Sequence, residues 1–236
     1  MLKVIVTIHQ PQYLPWLGYF GKILMADAFV LLDTVQYVKN EWQNRNRLRT
    51  PQGWQWITVP VEYHFPQSLL DTRINNREPW RRKHPKTLRQ LYGKAPCFAE
   101  HFDYFDALYA RPWERLAELN CEVVAQLMKT FDIQVPVYRA SELIVKETHP
   151  TGRLIEICRR LGASGYLSGA NGRNYLEVER FHKAGLELRF QAFVHPTYEQ
   201  QYPGFESHLS ALDALFCCGA EQTRSLIEKG NRVEEA

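Results

Sequence analysis

Residues 2–22 read LKVIVTIHQPQYLPWLGYFGK, and a second apolar segment, Ala28–Leu32, follows closely. The apolar segments Leu2–Ile8 and Ala28–Leu32 are rich in β-branched or aromatic side chains and lack helical spacing, which predicts two buried parallel strands. Pro11 and Pro15 do not fit the interior of a strand or a helix, so the residues between them form a loop. The apolar residues after Pro15 recur at helical spacing. The stretch therefore predicts a strand, a proline-bounded loop, a helix and a second strand.

This unit predicts a small-molecule site. In an open α/β sheet, ligands bind at the carboxyl ends of strands and against helix N-termini, whose free N–H groups suit an anion. His9 ends the first predicted strand, Gly18 permits a close approach of backbone or ligand, and Lys22 lies one turn into the helix. The candidate residues here are His9, Gln10, Tyr13, Trp16, Gly18, Tyr19 and Lys22. The alternative is a tight strand–helix turn in which the aromatic rings only pack.

A basic, amide-rich stretch, residues 39–49, follows and surrounds Trp42. Arginine forks bind phosphate or carboxylate, and an indole offers a platform beside them. The candidate ligands of an anion in this stretch are Lys39, Asn44, Arg45 and Asn46. A solvated hairpin arm is the alternative. Single-stranded nucleic acid fits less well, because the basic stretch is short and the rest of the chain is nearly neutral.

The second half of the chain repeats the alternation of strand and helix. We predict a strand at Ser164–Ser168, a glycine-containing loop at residues 169–175, a helix at Leu176–Ala184 and a strand at Leu186–Phe193. The loop places Ser168, Gly169 and Arg173 at a strand end, where the backbone and a guanidinium suit a phosphate. His195 follows the last strand. A loop without a ligand is equally compatible with this pattern.

The middle of the chain has a different character. Gln52-Gly53 predicts the turn of a β-hairpin spanning Leu48–Val61, which should cross or edge the sheet, and residues 78–129 read as amphipathic helices. In the first of these helices, Lys83 lies beside His84, and a neighbouring cation lowers the pKa of an imidazole so that it can act as a neutral base. The alternative is an ordinary basic surface helix.

These elements predict an α/β fold with a parallel sheet and helices on both faces, Rossmann-like, plus a hairpin and helical insertion. We expect residues 1–37 and 132–230 to form the α/β core domain, residues 38–131 a lid or subdomain, and residues 231–236 a frayed tail.

Composition describes an ordinary globular protein. Of the 236 residues, 45% are hydrophobic and 23% charged, and the formal net charge is +3, too balanced to indicate nucleic acid or an anionic membrane. The five cysteines include no C-x-x-C pair, so the sequence predicts no metal site. The strand-like start and the lack of a long apolar run predict a cytoplasmic protein that does not bind membranes, of unknown oligomeric state.

Longer motifs resemble those of a known family. The pattern His-Gln-Pro-x-Tyr-x-Pro-Trp-x-Gly-Tyr-Phe-x-Lys at residues 9–22 resembles the signature of the WbqC-like family of bacterial proteins. Matching segments continue along the chain at Ala26-Asp27, Asp33–Tyr37, Asn44–Asn46, Lys83-His84, Leu167–Gly169, His195–Tyr198 and Leu209–Asp213. The resemblance implies a transferase encoded among genes for surface-polysaccharide synthesis, including the O-antigen of lipopolysaccharide.

A weaker resemblance links the first unit to nucleotidylyltransferases and pantothenate synthetases. Their loop carries a His-x-Gly-His motif that holds ATP phosphates, whereas the matching positions here are Trp16, Leu17, Gly18 and Tyr19. Both histidines are absent, and only His9 is available nearby to supply an imidazole. ATP with Mg²⁺ is a cofactor implied by this resemblance alone.

Together these observations favour an enzyme that binds a nucleotide, a nucleotide-sugar or an amino acid and forms an ester or amide bond. His9 or His84 would transfer the proton, and Lys22, Lys39 and Arg45 would neutralise phosphate. A nucleotide-binding or metabolite-binding protein without turnover is the alternative. A Ser-His-Asp triad drawn from Ser168 or Ser210, His195 and Asp213 lacks the nucleophile-elbow motif and is disfavoured.

Overall fold

The computed structural model describes residues 3–236, so Leu2, where the first strand is predicted to begin, lies outside the described residues. The strands are β1 (Ile5–His9), β2 (Ala28–Leu31), β3 (Arg45–Thr50), β4 (Gly53–Thr58), β5 (Val61–Glu62), β6 (Arg73–Ile74), β7 (Val137–Arg139), β8 (Gly165–Ser168), β9 (Glu187–Gln191) and β10 (Val233–Glu235). The α-helices are α1 (Leu17–Leu24), α2 (Trp80–Tyr92), α3 (Phe98–Ala110), α4 (Leu116–Thr130), α5 (Pro150–Arg160), α6 (Val178–Lys183), α7 (Ala211–Cys218) and α8 (Ala220–Gly230). Short 3-10 helices lie at Ala140–Glu142 and Ala170–Asn174.

The central sheet confirms the predicted fold class. Within residues 3–236 it contains six strands in the order β10-β9-β8-β1-β2-β7. The strands from β9 to β7 are parallel, and only the edge strand β10 runs antiparallel to its neighbour. The chain builds outward from β1 through β2 to β7 and then returns to the other side of β1 with β8 and β9. The strand order therefore reverses between β1 and β8.

Apolar side chains cover both faces of the sheet. In β2, Phe29 and Leu31 pack in a cluster with α1 and α4, whereas Ala28 and Val30 pack in a second cluster with α5 and α6. Successive residues of a strand point to opposite faces, so an uninterrupted apolar strand requires helices on both. This is the physical reason that the apolar segments of the sequence identify the sheet.

The hairpin and the chain terminus differ from their predicted places. The β3–β4 pair begins at Arg45, earlier than the predicted Leu48, and forms a separate two-stranded sheet that neither crosses nor edges the central one. Residues 231–236, expected to fray, include β10, because Val233 to Glu235 pair with Arg189 to Gln191. The division into a core domain and a lid remains a prediction.

Among residues 3–236, no helix combines the length and the apolar character needed to span a bilayer.

Candidate functional site

A cavity of about 610 Å³ opens at the carboxyl ends of the parallel strands. His9 and Gln10 at the end of β1 and Ser168 at the end of β8 line it, and Gln191 contributes from the end of β9. These strands flank the point where the strand order reverses, the position at which open α/β sheets bind their ligands. The cavity is also in the size range of small-molecule sites.

Lys22 is the most unusual residue of the cavity. Its side chain is 2% exposed and lines the cavity, and its Nζ donates a hydrogen bond of 3.0 Å to the Ile8 carbonyl. None of the ion pairs formed by the described residues includes Lys22. Burial lowers the pKa of Lys22 from 10.5 to about 7. An ammonium held in a cavity without a carboxylate is suited to an anionic ligand.

His9 stands beside this lysine in a neutral form. Burial and the Lys22 charge lower the pKa of His9 to about 3. Its Nδ1 lies 3.1 Å from the Gln10 carbonyl, which can only accept, so Nδ1 carries the proton and Nε2 keeps a lone pair. Tyr19 packs edge-on against the imidazole with 4.8 Å between ring centroids. The residues of β1 and α1 thus present a neutral imidazole and a cation in one cavity.

Gly18 lines the cavity and also makes room for a neighbouring ring. A Cβ on Gly18 would lie 2.2 Å from the Trp16 ring, so the missing side chain accommodates that indole. Trp16 lines the cavity and stacks on His208 with 5.2 Å between ring centroids. The Gln191 amide donates a 2.8 Å hydrogen bond to the Gly18 carbonyl and joins the end of β9 to the start of α1.

The loop after β8 forms the opposite wall. Ser168, Gly169 and Gly172 line the cavity, and a Cβ on Gly172 would lie 2.0 Å from the Ser168 hydroxyl. Gly172 therefore makes room for Ser168, whereas a Cβ on Gly169 would meet nothing within 4 Å. Arg173, predicted to bind phosphate here, instead pairs with Glu234 at 2.8 Å and is not among the lining residues.

Several predicted binding residues hold the proline-bounded loop from behind. Asn46 donates a 2.7 Å hydrogen bond to the carbonyl of Leu14, a non-glycine residue with a φ of +47°. Asn44 donates to the Val59 carbonyl at 2.9 Å. Tyr13 is fully buried, and its hydroxyl lies 2.8 Å from Nδ1 of His84. Four predicted site residues therefore support the shape of the loop and do not line the cavity: Tyr13, Asn44, Asn46 and His84.

His84 was predicted as a proton-transfer group, and its surroundings differ from that expectation. The Lys83 charge does lower the pKa of His84, but burial is the larger cause, and together they bring it to about 4. Its Nε2 lies 3.1 Å from the Thr58 carbonyl, so both ring nitrogens are occupied by protein groups. Lys83 itself is exposed.

Three other predicted residues also lie outside the cavity. Lys39 is exposed and approaches the Tyr63 ring, and Arg45 lies on the Trp56 ring. His195 packs beside Trp16, 6.3 Å between ring centroids, without lining the cavity. The disfavoured Ser-His-Asp triad is not assembled, because Asp213 accepts hydrogen bonds from Tyr92, Tyr198 and Gln200.

The cavity also contains residues that were not proposed as ligands. Trp42 and Arg47 reach it from the basic stretch and were visible there as an indole among cations. The other additional lining residues are Ile8, Gln12, Leu32, Leu154, Tyr166, Ala170, Asn171, Gly172, Tyr175, Gln191, Phe193 and His208. No sequence motif marks His208, which lines the cavity and has a backbone φ of +57°.

The lining residues fit a nucleotide better than a protein-bound metal. They include two cations, Lys22 and Arg47, and no carboxylate. Within residues 3–236, no group of three or more His, Cys, Asp or Glu side chains is placed to hold a metal ion. Mg²⁺ prefers oxygen ligands and is often bound through substrate phosphates, so the nucleotide itself would have to supply them.

The fold and this cavity define an open α/β protein with a cavity at its switch point. The sequence profile of the WbqC-like protein family matches residues 10–225, and the chain belongs to this family. It is 34% identical over 220 residues to the uncharacterized protein Rv1507c of Mycobacterium tuberculosis (strain ATCC 25618 / H37Rv), an alignment that covers 92% of this chain and 94% of that protein. No solved structure matches the chain.

Proposed function

We propose that this protein is a transferase or ligase of surface-polysaccharide biosynthesis that binds a nucleotide or nucleotide-sugar in the cavity, together with an amino or carboxylic acid, and forms an ester or amide bond. The observation that carries the proposal is Lys22, a buried ammonium in a cavity at the switch point with no carboxylate partner among the described residues. A phosphate would supply the missing negative charge. The polysaccharide role rests on the resemblance of the motifs alone.

In this proposal a bound phosphate also prepares His9. The Lys22 charge is one cause of the low pKa of His9, and an anion beside Lys22 offsets that charge. The pKa of His9 then rises toward the working pH, where a general base is most effective. The acceptor amine or hydroxyl attacks the carbon of the transferred group that is bonded to the phosphate oxygen, and its proton passes to Nε2 of His9. The bond between that carbon and the phosphate oxygen breaks, and Lys22 stabilises the negative charge of the phosphate that leaves.

A binding protein without turnover is the second candidate. The pKa of His9, about 3, favours it, because an imidazole so weakly basic is a poor proton acceptor. The missing histidines of the nucleotidylyltransferase motif point the same way.

One incubation separates the two candidates. The protein is mixed with ATP, glycine and UDP-N-acetylglucosamine, singly and together, and phosphate, pyrophosphate and new products are measured. Release of phosphate or pyrophosphate that requires a second substrate and disappears in Lys22→Met supports the enzyme. Thermal stabilisation by a nucleotide without any product supports the binding protein. If UDP and ATP neither stabilise the protein nor react, both candidates fail.

A further inference from the structure

An exposed face of the β3–β4 hairpin continues outward from the cavity. Arg45 and Arg47 on β3 lie on the same face as Trp54 and Trp56 on β4, because alternate residues of paired strands share a face. Trp42 packs beside them, with 5.4 Å between its ring centroid and that of Trp56. We call these five residues the arginine–tryptophan face.

The face is both apolar and cationic. Trp54 is 41% exposed and Trp56 38% exposed, an unusual amount of bare indole for one hairpin. The guanidinium of Arg45 lies 4.0 Å from the Trp56 ring centroid, and that of Arg47 lies 5.0 Å from the Trp54 ring centroid. Among the described residues, neither arginine forms an ion pair with a carboxylate. Arg45 donates to the Asn40 carbonyl and Arg47 to the His208 carbonyl, and these neutral acceptors leave the positive charge of both groups uncompensated by direct contact.

The face and the cavity share residues. Trp42 and Arg47 belong to the arginine–tryptophan face and also line the cavity. A ligand on this face would therefore contact residues that also line the cavity containing Lys22. This continuity makes the face part of the same site rather than a separate surface.

We propose that the arginine–tryptophan face is the acceptor subsite, binding one or two rings of an acidic saccharide whose reactive end enters the cavity. This assignment rests on the proposed function. The C–H faces of a sugar ring pack on indole, and the guanidinium groups donate hydrogen bonds to hydroxyl and carboxylate oxygens. Two arginines match one or two acidic groups.

A nucleic acid fits the face less well. The Trp54 and Trp56 rings are at 79° to each other, whereas successive bases stack on aromatic platforms that follow the strand. A polyanion also needs several phosphate contacts, and the chain has a net charge of only +3.

The test measures binding to the full-length protein by isothermal titration calorimetry. The probes are a hyaluronan tetrasaccharide, which alternates glucuronate and N-acetylglucosamine, the neutral maltotetraose, hexathymidylate, a hexaglutamate peptide and UDP. The variants are Trp54→Ala, Trp56→Ala, Trp56→Phe and Arg45→Gln, and Tyr138→Ala is the matched control because it is 38% exposed on the edge strand β7.

We expect the wild type to bind the acidic tetrasaccharide at least tenfold more tightly than maltotetraose. Trp56→Ala and Trp54→Ala each weaken that binding at least tenfold, Trp56→Phe recovers most of it, and Arg45→Gln removes the preference for the acidic sugar. Tyr138→Ala has no effect. The far-UV circular dichroism spectra of both alanine variants match that of the wild type, which shows that they fold.

The proposal is overturned if the acidic tetrasaccharide does not bind, or if neither tryptophan substitution changes its affinity. It is also overturned if hexathymidylate or hexaglutamate binds more tightly than the acidic tetrasaccharide. Saccharide binding that follows the expected pattern without any UDP binding would refute the nucleotide site and leave the acceptor subsite standing. UDP binding without saccharide binding would refute the acceptor subsite and leave the nucleotide site standing.

Discussion

Replacing Lys22 with methionine should stabilise the protein at pH 6 while abolishing nucleotide binding. Methionine keeps the unbranched shape of the buried stem and removes the charge. In the folded state, the pKa of Lys22 falls from 10.5 to about 7 because burial disfavours the ammonium. At about 1.4 kcal/mol per pKa unit, the buried charge costs about 5 kcal/mol at a pH below 7.

The net gain is smaller than this cost. The substitution also removes the hydrogen bond from Nζ to the Ile8 carbonyl, worth about 1 kcal/mol. We therefore expect Lys22→Met to raise the free energy of unfolding by up to about 4 kcal/mol at pH 6, and replacement of a buried charge by an apolar side chain commonly stabilises a protein by about 1–4 kcal/mol.

The pH dependence identifies the cause. Between pH 7 and 10.5 the unfolded state binds the Lys22 proton and the folded state does not, so the stability of the wild type rises with pH in that window. The advantage of Lys22→Met therefore shrinks by about 2 kcal/mol from pH 7 to pH 9. Urea unfolding at pH 6, 7 and 9 measures this difference, with the exposed Lys83→Met as the control.

Three results would refute this reasoning. A Lys22→Met variant less stable than the wild type at pH 6 would mean that the ammonium has favourable partners. An effect on stability that does not change between pH 7 and pH 9 would mean that Lys22 titrates normally. If the variant is more stable and still binds UDP with wild-type affinity, the anion-binding role of Lys22 is lost.

Four further outcomes are expected. His9→Ala should lower turnover at least about 100-fold and lower the free energy of unfolding by less than about 1 kcal/mol, because the ring is half-buried at the cavity wall. Loss of turnover in a variant that is unfolded would not support a role of His9 in proton transfer. Gly18→Ala should displace the Trp16 ring and weaken UDP binding at least tenfold by calorimetry, and an unchanged affinity would contradict the packing described. Tyr13→Phe should cost about 1–3 kcal/mol in urea unfolding, because it leaves His84 without its buried partner, and UDP affinity should not change. The free energy of unfolding should fall as the pH drops from 6.5 to 4, because His84 binds a proton in the unfolded state near pH 6.5 but in the folded state only near pH 4. In His84→Leu this loss of stability should be smaller by up to about 3 kcal/mol. If the variant and the wild type lose the same stability between pH 6.5 and 4, His84 is not a cause.

Local patterns predicted most elements of the fold. The strands β1 and β2 and the helix α1 follow from residues close together in sequence, because burial on both faces demands uninterrupted apolar segments. The β3–β4 hairpin was predicted from its turn, but its separation from the central sheet was not, since a period-two pattern does not say which strands pair.

The candidate site was predicted in part. His9 and Lys22 belong to the cavity because a strand end and the adjoining helix position them. Asn46 stands in a motif of the same kind, yet its amide is used by the Leu14 carbonyl, a contact between residues 32 positions apart. A motif shows that polar groups are needed and does not show whether protein or ligand occupies them.

The sequence by itself determined the family, the parallel sheet and the loop that carries His9, since these depend on apolar periodicity and on prolines within a short stretch. Only the tertiary structure decided which polar groups face the cavity. The end of β8 meets the end of β1 across about 160 residues of chain, and that pairing closes the space around Lys22. Burial gives this lysine its altered pKa. No local pattern encodes that burial or the lack of a carboxylate beside Lys22 among residues 3–236.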